Sequence, residues 1–233
     1  MNYLATAGIL IFVTSIISAV IVYLKAPRKI ISIPWSLFSL SVSIWGFGLL
    51  KAFTTEVKEI ALFWSYFLNL VAILLPLFFF HFVLSFSNKL QKKKTELISY
   101  YFGIALYFIM ALIAPSDFIS DVSSRLSFQY YPVPGFLYYF FPISFGYFVI
   151  YGISLLYREF TLANSSRRNQ IKYLLSGVCV GFAGGSTTFF PVFGIDIPPI
   201  GTFLVPIYVL TVTYAIVRHQ LMDITIIIKR TMA

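Results

Sequence analysis

Few side chains of this 233-residue chain could carry out chemistry, and they stand apart from one another. His81 is embedded among four phenylalanines and has no carboxylate near it in sequence, so it suits a buried neutral hydrogen-bonding group better than a pH sensor. Cys179 is the single cysteine and has no partner for a disulfide or a metal site. Because no paired carboxylates and no nucleophile with a base are evident, the sequence predicts no catalytic residue, no metal site and no cofactor.

Uncharged polar and aromatic side chains are the remaining candidates for a binding site. Asn69 stands near the middle of a long apolar stretch, where hydrocarbon cannot hydrogen-bond an amide. We predict a neutral, aromatic site suited to an apolar or lipidated molecule rather than an ion, formed by Trp45, Trp64, Tyr66, Asn69, Tyr138 and Tyr208. Two plainer interpretations stay open: Asn69 joins two helices by a hydrogen bond, and the aromatic residues form an interfacial belt.

Three glycines at intervals of four residues predict a close contact between helices. Gly177, Gly181 and Gly185 fall on one helical face, which lets another backbone approach closely. The partner is either another helix of the same chain or a second copy of the protein, which would make a homodimer. We favour the contact within one chain.

The elements that must position these residues are seven long apolar stretches. Each is about as long as the roughly 20 residues that a helix needs to cross a bilayer. Hydrophobic residues make up 59% of the chain, charged residues only 11%, and the mean hydropathy is +0.89. The sequence predicts an all-α membrane protein with a seven-helix transmembrane domain at residues 1–217 and an exit segment at residues 218–233. The stretches run over residues 4–24, 30–50, 60–86, 97–114, 136–157, 173–193 and 200–217.

Basic residues fall almost entirely into every second gap between these stretches. Fourteen of the 17 do so, namely Lys25, Arg28, Lys29, Lys89, Lys92, Lys93, Lys94, Arg158, Arg167, Arg168, Lys172, Arg218, Lys229 and Arg230. By the positive-inside rule, the N-terminus is expected outside and the C-terminus in the cytoplasm. The net charge of +9 then reflects loops that face the anionic lipid bilayer, and no nucleic-acid partner is predicted.

Two connections are longer than the others. The loop from about Pro115 to Gly135 has prolines at alternate positions, which favour an extended backbone, and tyrosines that suit the membrane interface. We interpret it as an interfacial anchor, with a lid or a ligand contact as the alternative. The second loop is expected from about Arg158 to Lys172.

The most specific motif follows the last apolar stretch. Residues 214–224, Tyr-Ala-Ile-Val-Arg-His-Gln-Leu-Met-Asp-Ile, resemble the exit from the last membrane helix of bacterial sensor histidine kinases that have a seven-helix N-terminal region. Residues 168–177 resemble that family's entry to the sixth helix, and helix count and orientation extend the resemblance over the whole chain. Gln220 and Thr225 depart from the family's usual residues at their positions.

The resemblance implies a non-catalytic sensory module of a two-component system in the plasma membrane. Its movements would pass through Arg218, His219 and Asp223 of the exit segment to a cytoplasmic kinase domain or response partner. These 233 residues contain no phosphoacceptor helix and no Gly-rich ATP-binding segment, so any kinase activity would lie in a further C-terminal part. The alternative is a small multi-pass transporter or lipid-handling membrane protein.

The conformation of the exit segment stays open. Apolar residues recur there at helical spacing, which favours a helix that carries motion outward. Residues 224–228 are all β-branched, however, and this weakens an exposed helix.

Overall fold

The computed structural model of the chain describes the backbone of residues 2–26 and 28–231 and the side chains of residues 2–26, 28–165 and 167–217. Its helices are α1 (Tyr3–Lys25), α2 (Lys29–Ala52), α3 (Lys58–Ala72), α4 (Leu74–Phe86), α5 (Lys94–Ile113), α6 (Pro115–Phe118), α7 (Phe140–Leu162), α8 (Ser165–Ser186), α9 (Phe189–Val192) and α10 (Leu204–Thr231). Short 3-10 helices cover Leu137–Tyr139 and Ile200–Phe203, and strands β1 (Ile119–Arg125) and β2 (Phe128–Pro134) form an antiparallel hairpin.

Among these residues, seven helical segments are long and apolar enough to cross a membrane, so the predicted seven-helix membrane fold is confirmed. We number them spans 1 to 7: Tyr3–Lys25, Lys29–Ala52, Lys58–Phe86, Lys94–Ile113, Leu137–Leu162, Arg167–Val192 and Ile200–Val217. The hairpin between spans 4 and 5 marks one end of the bundle, which we call the hairpin end. At the opposite end, the exit end, α10 continues beyond span 7.

Span 3 lies at the centre of the bundle and span 4 at its edge. In the apolar part of span 3, 72% of residues are buried inside the bundle, against 22% in span 4. Span 3 is interrupted at Ile73, between α3 and α4. Pro76 accounts for the break, because it cannot donate to the carbonyl four residues earlier and its ring crowds that carbonyl.

Spans 1 and 2 form a tight pair in which glycines allow close approach. A Cβ on Gly46 would lie 2.8 Å from the backbone nitrogen of Phe12 and 2.9 Å from the carbonyl oxygen of Gly8. Asn2 starts span 1, because its side-chain oxygen accepts a hydrogen bond from the backbone N–H of Ala5 at 3.0 Å. Larger residues at the glycine positions would force the two helices apart.

The segment interpreted as an extended loop at residues 115–135 folds instead as α6 followed by the hairpin, so the fold is mostly rather than wholly helical. The segment packs one face on the bundle, with Phe118 of α6 and Val122, Phe128 and Tyr131 of the hairpin each 2% exposed or less. Apolar burial therefore fixes a segment whose prolines and serines give no regular strand pattern.

The loop expected between Arg158 and Lys172 is almost entirely helical. Helix α7 continues to Leu162 and α8 begins at Ser165, which leaves a two-residue connection. Asn164 ends the connection by accepting a hydrogen bond from the backbone N–H of Arg167 at 3.1 Å.

Candidate functional site

A cavity of about 50 Å³ lies in the hairpin half of the bundle, between spans 2, 3, 5, 6 and 7. We call it the inner cavity. Three residues of the predicted ligand site, Trp45, Asn69 and Tyr208, line it. The rest of its wall is mostly aromatic and aliphatic: Phe38, Val42, Ala72, Leu75, Phe141, Phe145, Gly181, Phe182, Gly185, Thr188, Phe189 and Val205.

A smaller outer cavity, about 20 Å³, lies between the inner cavity and the hairpin. Trp45, Asn69 and Thr188 line both cavities and form the layer that separates them. Tyr131 of β2 and Tyr138 close the outer cavity from the hairpin side. The two cavities therefore follow one line from the hairpin toward the bundle centre.

Asn69 is held rigidly within this layer. Its amide nitrogen donates to the carbonyl oxygen of Ser65 at 2.8 Å, and its amide oxygen accepts from the hydroxyl of Tyr138 at 3.1 Å. Both side chains are buried, with 6% of Asn69 and 1% of Tyr138 exposed. The Tyr138 bond joins span 3 to span 5, so Asn69 has a structural partner whether or not a ligand is present.

Tyr208 of span 7 differs from Asn69 because its hydroxyl is buried without a hydrogen-bond partner among the described residues. Its ring lies against Gly181 of span 6, so closely that a Cβ at position 181 would overlap the ring carbons. Trp35 and Phe38 of span 2 meet the same ring edge-on, at centroid distances of 5.8 and 6.0 Å. The side chain is thus fixed by packing while its polar atom stays unsatisfied.

The predicted glycine face of span 6 lies against span 7. Gly177 faces Val212 and Tyr208, Gly181 faces Tyr208, and a Cβ on Gly185 would contact Val205 at 3.6 Å. The helix partner of these three glycines in the structure therefore comes from the same chain.

The hairpin covers the outer cavity through Tyr131. The Tyr131 hydroxyl donates to the carbonyl oxygen of Thr188 at 2.8 Å, and its ring packs in an aromatic cluster with Phe53 and Phe128 at centroid distances of 5.4 and 5.7 Å. Burial raises the pKa of the Tyr131 phenol well above its usual range, so the group remains a donor. A lid was the alternative interpretation of residues 115–135, but the sequence could not single out Tyr131, because its contact is with a backbone carbonyl 57 residues away.

Two residues of the predicted ligand site lie elsewhere. Trp64 packs against Phe47 of span 2 and against Phe63 and Phe67 of its own helix. Tyr66 donates its hydroxyl to the carbonyl oxygen of Ala111 in span 4 at 3.0 Å. Neither lines the inner or the outer cavity.

The site is electrically neutral. Among the described residues that line the two cavities, none is Asp, Glu, Lys, Arg or His. The described part of the chain also holds no group of three His, Cys, Asp or Glu residues placed to bind a metal ion. His81 lies outside both cavities and forms a 2.8 Å hydrogen bond between its Nδ1 and the Tyr101 hydroxyl of span 4.

A second buried polar group lies deeper, toward the exit end. The indole N–H of Trp35 lies 3.3 Å from the Ser18 hydroxyl and 3.4 Å from the Thr213 hydroxyl. The Ser18 hydroxyl also forms hydrogen bonds with the hydroxyl of Ser39, at 3.1 Å, and with that of Thr213. We call these four residues the Trp35 cluster. It joins spans 1, 2 and 7, and sequence reasoning missed it because single serines and threonines are common in membrane helices.

The predicted exit residues Arg218, His219 and Asp223 lie outside the side chains that the structure describes. The backbone of this segment is helical, since α10 runs to Thr231.

A bundle of seven apolar helices around a neutral cavity defines the chain as a multi-pass membrane protein. Residues 9–225 match the family described as the N-terminal seven-transmembrane region of histidine kinase, and the chain belongs to that family. The family resemblance predicted from the exit motif is therefore confirmed. No curated protein and no solved structure matches the chain. Membership makes the chain a sensory, non-catalytic region of the histidine-kinase type, located in the plasma membrane.

Proposed function

We propose that the bundle is a receptor that passes a change at the inner cavity through span 7 to a cytoplasmic kinase. The observation that carries this proposal is the position of span 7. Span 7 supplies Tyr208 and Val205 to the wall of the inner cavity and Thr213 to the Trp35 cluster. Its helix, α10, then continues into the exit segment.

A contiguous set of contacts supports the route. Tyr208 touches the ring of Trp35, and Trp35 bonds the hydroxyls of Ser18 and Thr213. Buried interhelical hydrogen bonds in membranes hold helices in discrete arrangements, because an alternative packing must find new partners for them. A ligand that favours one position of Tyr208 would favour one arrangement of span 7.

Orientation is part of the proposal. With the basic loops in the cytoplasm, the hairpin and the outer cavity face the outside and the exit segment faces the kinase. The exit end carries cations near buried aromatic rings, for example Arg167 over Phe86 at 4.0 Å, in line with a surface that meets anionic headgroups.

A fusion protein tests signal transfer. The chain is joined after Ala233 to the phosphoacceptor and ATP-binding parts of a histidine kinase that lacks its own input region, and autophosphorylation is measured in membrane vesicles. Thr213→Val removes a hydroxyl from the Trp35 cluster, and we expect it to change autophosphorylation by roughly threefold or more. Thr211→Val is the matched control, because the Thr211 hydroxyl donates to the carbonyl oxygen of Ile207 in its own helix rather than joining two spans.

Equal autophosphorylation in both variants and the unmodified fusion would contradict the proposal. Saturable uptake of a solute into vesicles that contain the chain would instead favour a transporter.

A further inference from the structure

A polar pocket of about 310 Å³ lies at the hairpin end, against about 50 Å³ for the inner cavity. Its walls come from two parts of the chain that are far apart in sequence. One wall is the end of span 2 with the loop after it, residues 52–56, and Asn2 beside them; the other is the hairpin at residues 127–130. We call it the hairpin pocket. Its volume falls at the lower end of the range of small-molecule sites, which begins near roughly 300 Å³.

Hydrogen bonds fix the two walls of the hairpin pocket. The Tyr130 hydroxyl donates to the carbonyl oxygen of Glu56 at 3.2 Å and so joins the hairpin to the loop. The amide nitrogen of Asn2 donates to the carbonyl oxygen of Phe53 at 2.8 Å, which holds the start of span 1 against the same loop. The pocket therefore has a defined shape without a ligand, and this lowers the entropy cost of binding one.

Several polar groups of the pocket use their donors on the protein and leave acceptors free. Besides Tyr130, the Thr54 hydroxyl donates to the carbonyl oxygen of Leu50 at 2.7 Å, and the Nε2 of Gln129 lies 3.2 Å from the Tyr130 hydroxyl. Among the described residues, none donates to the carboxylate of Glu56 or to the amide oxygen of Gln129. These oxygens suit a ligand that brings N–H donors, and a primary ammonium group carries three.

The charge of the pocket favours a cation. Glu56 is the single charged side chain in its described lining. Lys58, the nearest cation in sequence, pairs with Asp121 at 2.8 Å and not with Glu56. A cationic ligand is therefore attracted to the carboxylate, whereas an anionic one is repelled.

Aromatic rings give the pocket an apolar side. Phe53 and Tyr130 line it and are half-buried, and Phe128 packs against Phe53 edge-on at a centroid distance of 5.0 Å. A hydrocarbon group on the ligand would cover the exposed part of these rings. An apolar cavity of about 150 Å³ holds benzene, so this pocket has room for one ring with a short amine chain.

We propose that the hairpin pocket binds a small primary amine with an apolar body, whose ammonium group meets the Glu56 carboxylate and whose body lies against Phe53 and Tyr130. The site goes beyond the proposed receptor function, because the pocket shares no lining residue with the inner cavity. Binding there does not require signal transfer through span 7.

Methyl NMR on the chain in lipid nanodiscs tests the site, with 2-phenylethylamine as the probe. Ala52 lines the pocket, whereas Ala183 is exposed on the outer surface of span 6. Alanine methyl groups are labelled with carbon-13, and the two signals are assigned through Ala52→Gly and Ala183→Gly. We expect the Ala52 shift to saturate with the amine concentration and the Ala183 shift to change only in proportion to it. Nanodiscs present both membrane faces to solution, so the result does not depend on orientation.

Glu56→Gln tests the role of the carboxylate, because it removes the charge and keeps the shape of the side chain. It should raise the dissociation constant of the amine roughly three- to fivefold, and the remaining affinity should lose most of its dependence on salt. Glu59→Gln is the matched control: Glu59 is also exposed but does not line the pocket, so the dissociation constant should stay within about twofold. Both side chains are exposed, and both variants should fold normally.

A neutral probe tests the need for the ammonium group. 2-Phenylethanol has the same body with a hydroxyl in place of the amine. We expect it to bind at least about threefold more weakly than the amine, and equally well to the unmodified chain and to Glu56→Gln.

Three results would overturn the assignment. Non-saturating shifts at both alanines would mean that the pocket holds water only. Equal affinity of the amine for Glu56→Gln and the unmodified chain would remove the carboxylate from the site, and equal affinity for the amine and the alcohol would make the ligand class neutral. Each leaves the Thr213 experiment untouched, because that experiment measures coupling of span 7 to a kinase without any ligand.

Discussion

At the scale of single residues, the position of Tyr208 depends on the absence of a side chain at residue 181. The ring occupies the space in which a Cβ of residue 181 would stand, and the same ring forms part of the cavity wall. Close packing of this kind transmits a displacement of one helix to its neighbour, since the interior has little free volume to absorb it. Gly181 therefore contributes to the site although it has no functional group.

Gly181→Ala should destabilise the bundle. The added methyl group overlaps the Tyr208 ring and forces spans 6 and 7 apart, so we expect the free energy of unfolding to fall by about 1–3 kcal/mol. Thermal unfolding in detergent, followed by tryptophan fluorescence, measures the effect. Gly103→Ala is the control, because a Cβ there meets no atom within 4 Å. The control should be neutral or stabilising by up to about 1 kcal/mol, and equal destabilisation of both variants would refute the packing argument.

The bond between Asn69 and Tyr138 should appear as an energetic coupling. In a double-mutant cycle with Asn69→Ala and Tyr138→Phe, we expect a coupling energy of about 0.6 kcal/mol, the average for hydrogen bonds between membrane helices, and no more than about 1.7 kcal/mol. Pairing Asn69→Ala with Tyr66→Phe should give additive effects, because Tyr66 bonds Ala111 instead. Additivity in the Tyr138 cycle as well would show that the 3.1 Å hydrogen bond from the Tyr138 hydroxyl to Asn69 contributes nothing to the free energy of unfolding.

At the scale of elements, the hairpin is attached to span 3 by an ion pair. Lys58 at the start of span 3 lies 2.8 Å from the Oδ2 of Asp121 in β1. The hydrogen bond from Lys58 lowers the pKa of the Asp121 carboxyl, with help from the backbone N–H of Val122. The aromatic contacts of Phe128 and Tyr131 bury far more surface, so the ion pair adjusts the docking of the hairpin rather than causing it.

The lowered pKa of Asp121 predicts a pH-dependent contribution to stability. A carboxyl whose pKa is lower in the folded state stabilises the fold above its ordinary pKa, near 3.9, and loses that effect as the pH falls through the folded value. The melting temperature of the unmodified chain should therefore exceed that of Asp121→Asn slightly at pH 6, and the gap should shrink toward pH 3. Glu56→Gln, also near the hairpin, serves as the control. A difference in melting temperature that stays constant with pH would contradict the lowered pKa of Asp121.

The elements differ in how far they could be predicted from sequence. The spans were predictable because about 20 apolar residues in a row have few uses other than crossing a bilayer. The hairpin was not, since β2 contains Pro132 and Pro134, which lack the N–H that strands donate, and only contact with the bundle selects its pairing.

The candidate site was predictable only in part. Trp45, Asn69 and Tyr208 come together from three spans, whereas Trp64 points about 140° away from Asn69 around their common helix. The sequence holds 26 phenylalanines, and nothing in their spacing distinguishes those that line the cavity from those that face lipid. Helix rotation and helix pairing decide this, and both depend on tertiary packing.

At the scale of the whole molecule, the inner cavity, the Trp35 cluster and the exit segment follow one another along α10. Tyr208 lies in the hairpin half, Thr213 lies about one and a half turns further, and the helix then leaves the bundle at the exit end. A ligand from outside can reach a kinase inside only if the hairpin end is extracellular. Orientation is therefore the property on which the proposed function depends most.

Cysteine labelling on intact cells measures that orientation. Ser120→Cys in the hairpin and Lys92→Cys in the loop between spans 3 and 4 are made separately in a Cys179→Ser background, and both positions are exposed. We expect a membrane-impermeant maleimide to label residue 120 in intact cells and residue 92 only after lysis, because the basic residues lie 14 to three in favour of the exit end. The Cys179→Ser protein alone gives the background. The reverse pattern would place the exit segment outside, away from any kinase, and signal transfer through span 7 to the cytoplasm would then be impossible.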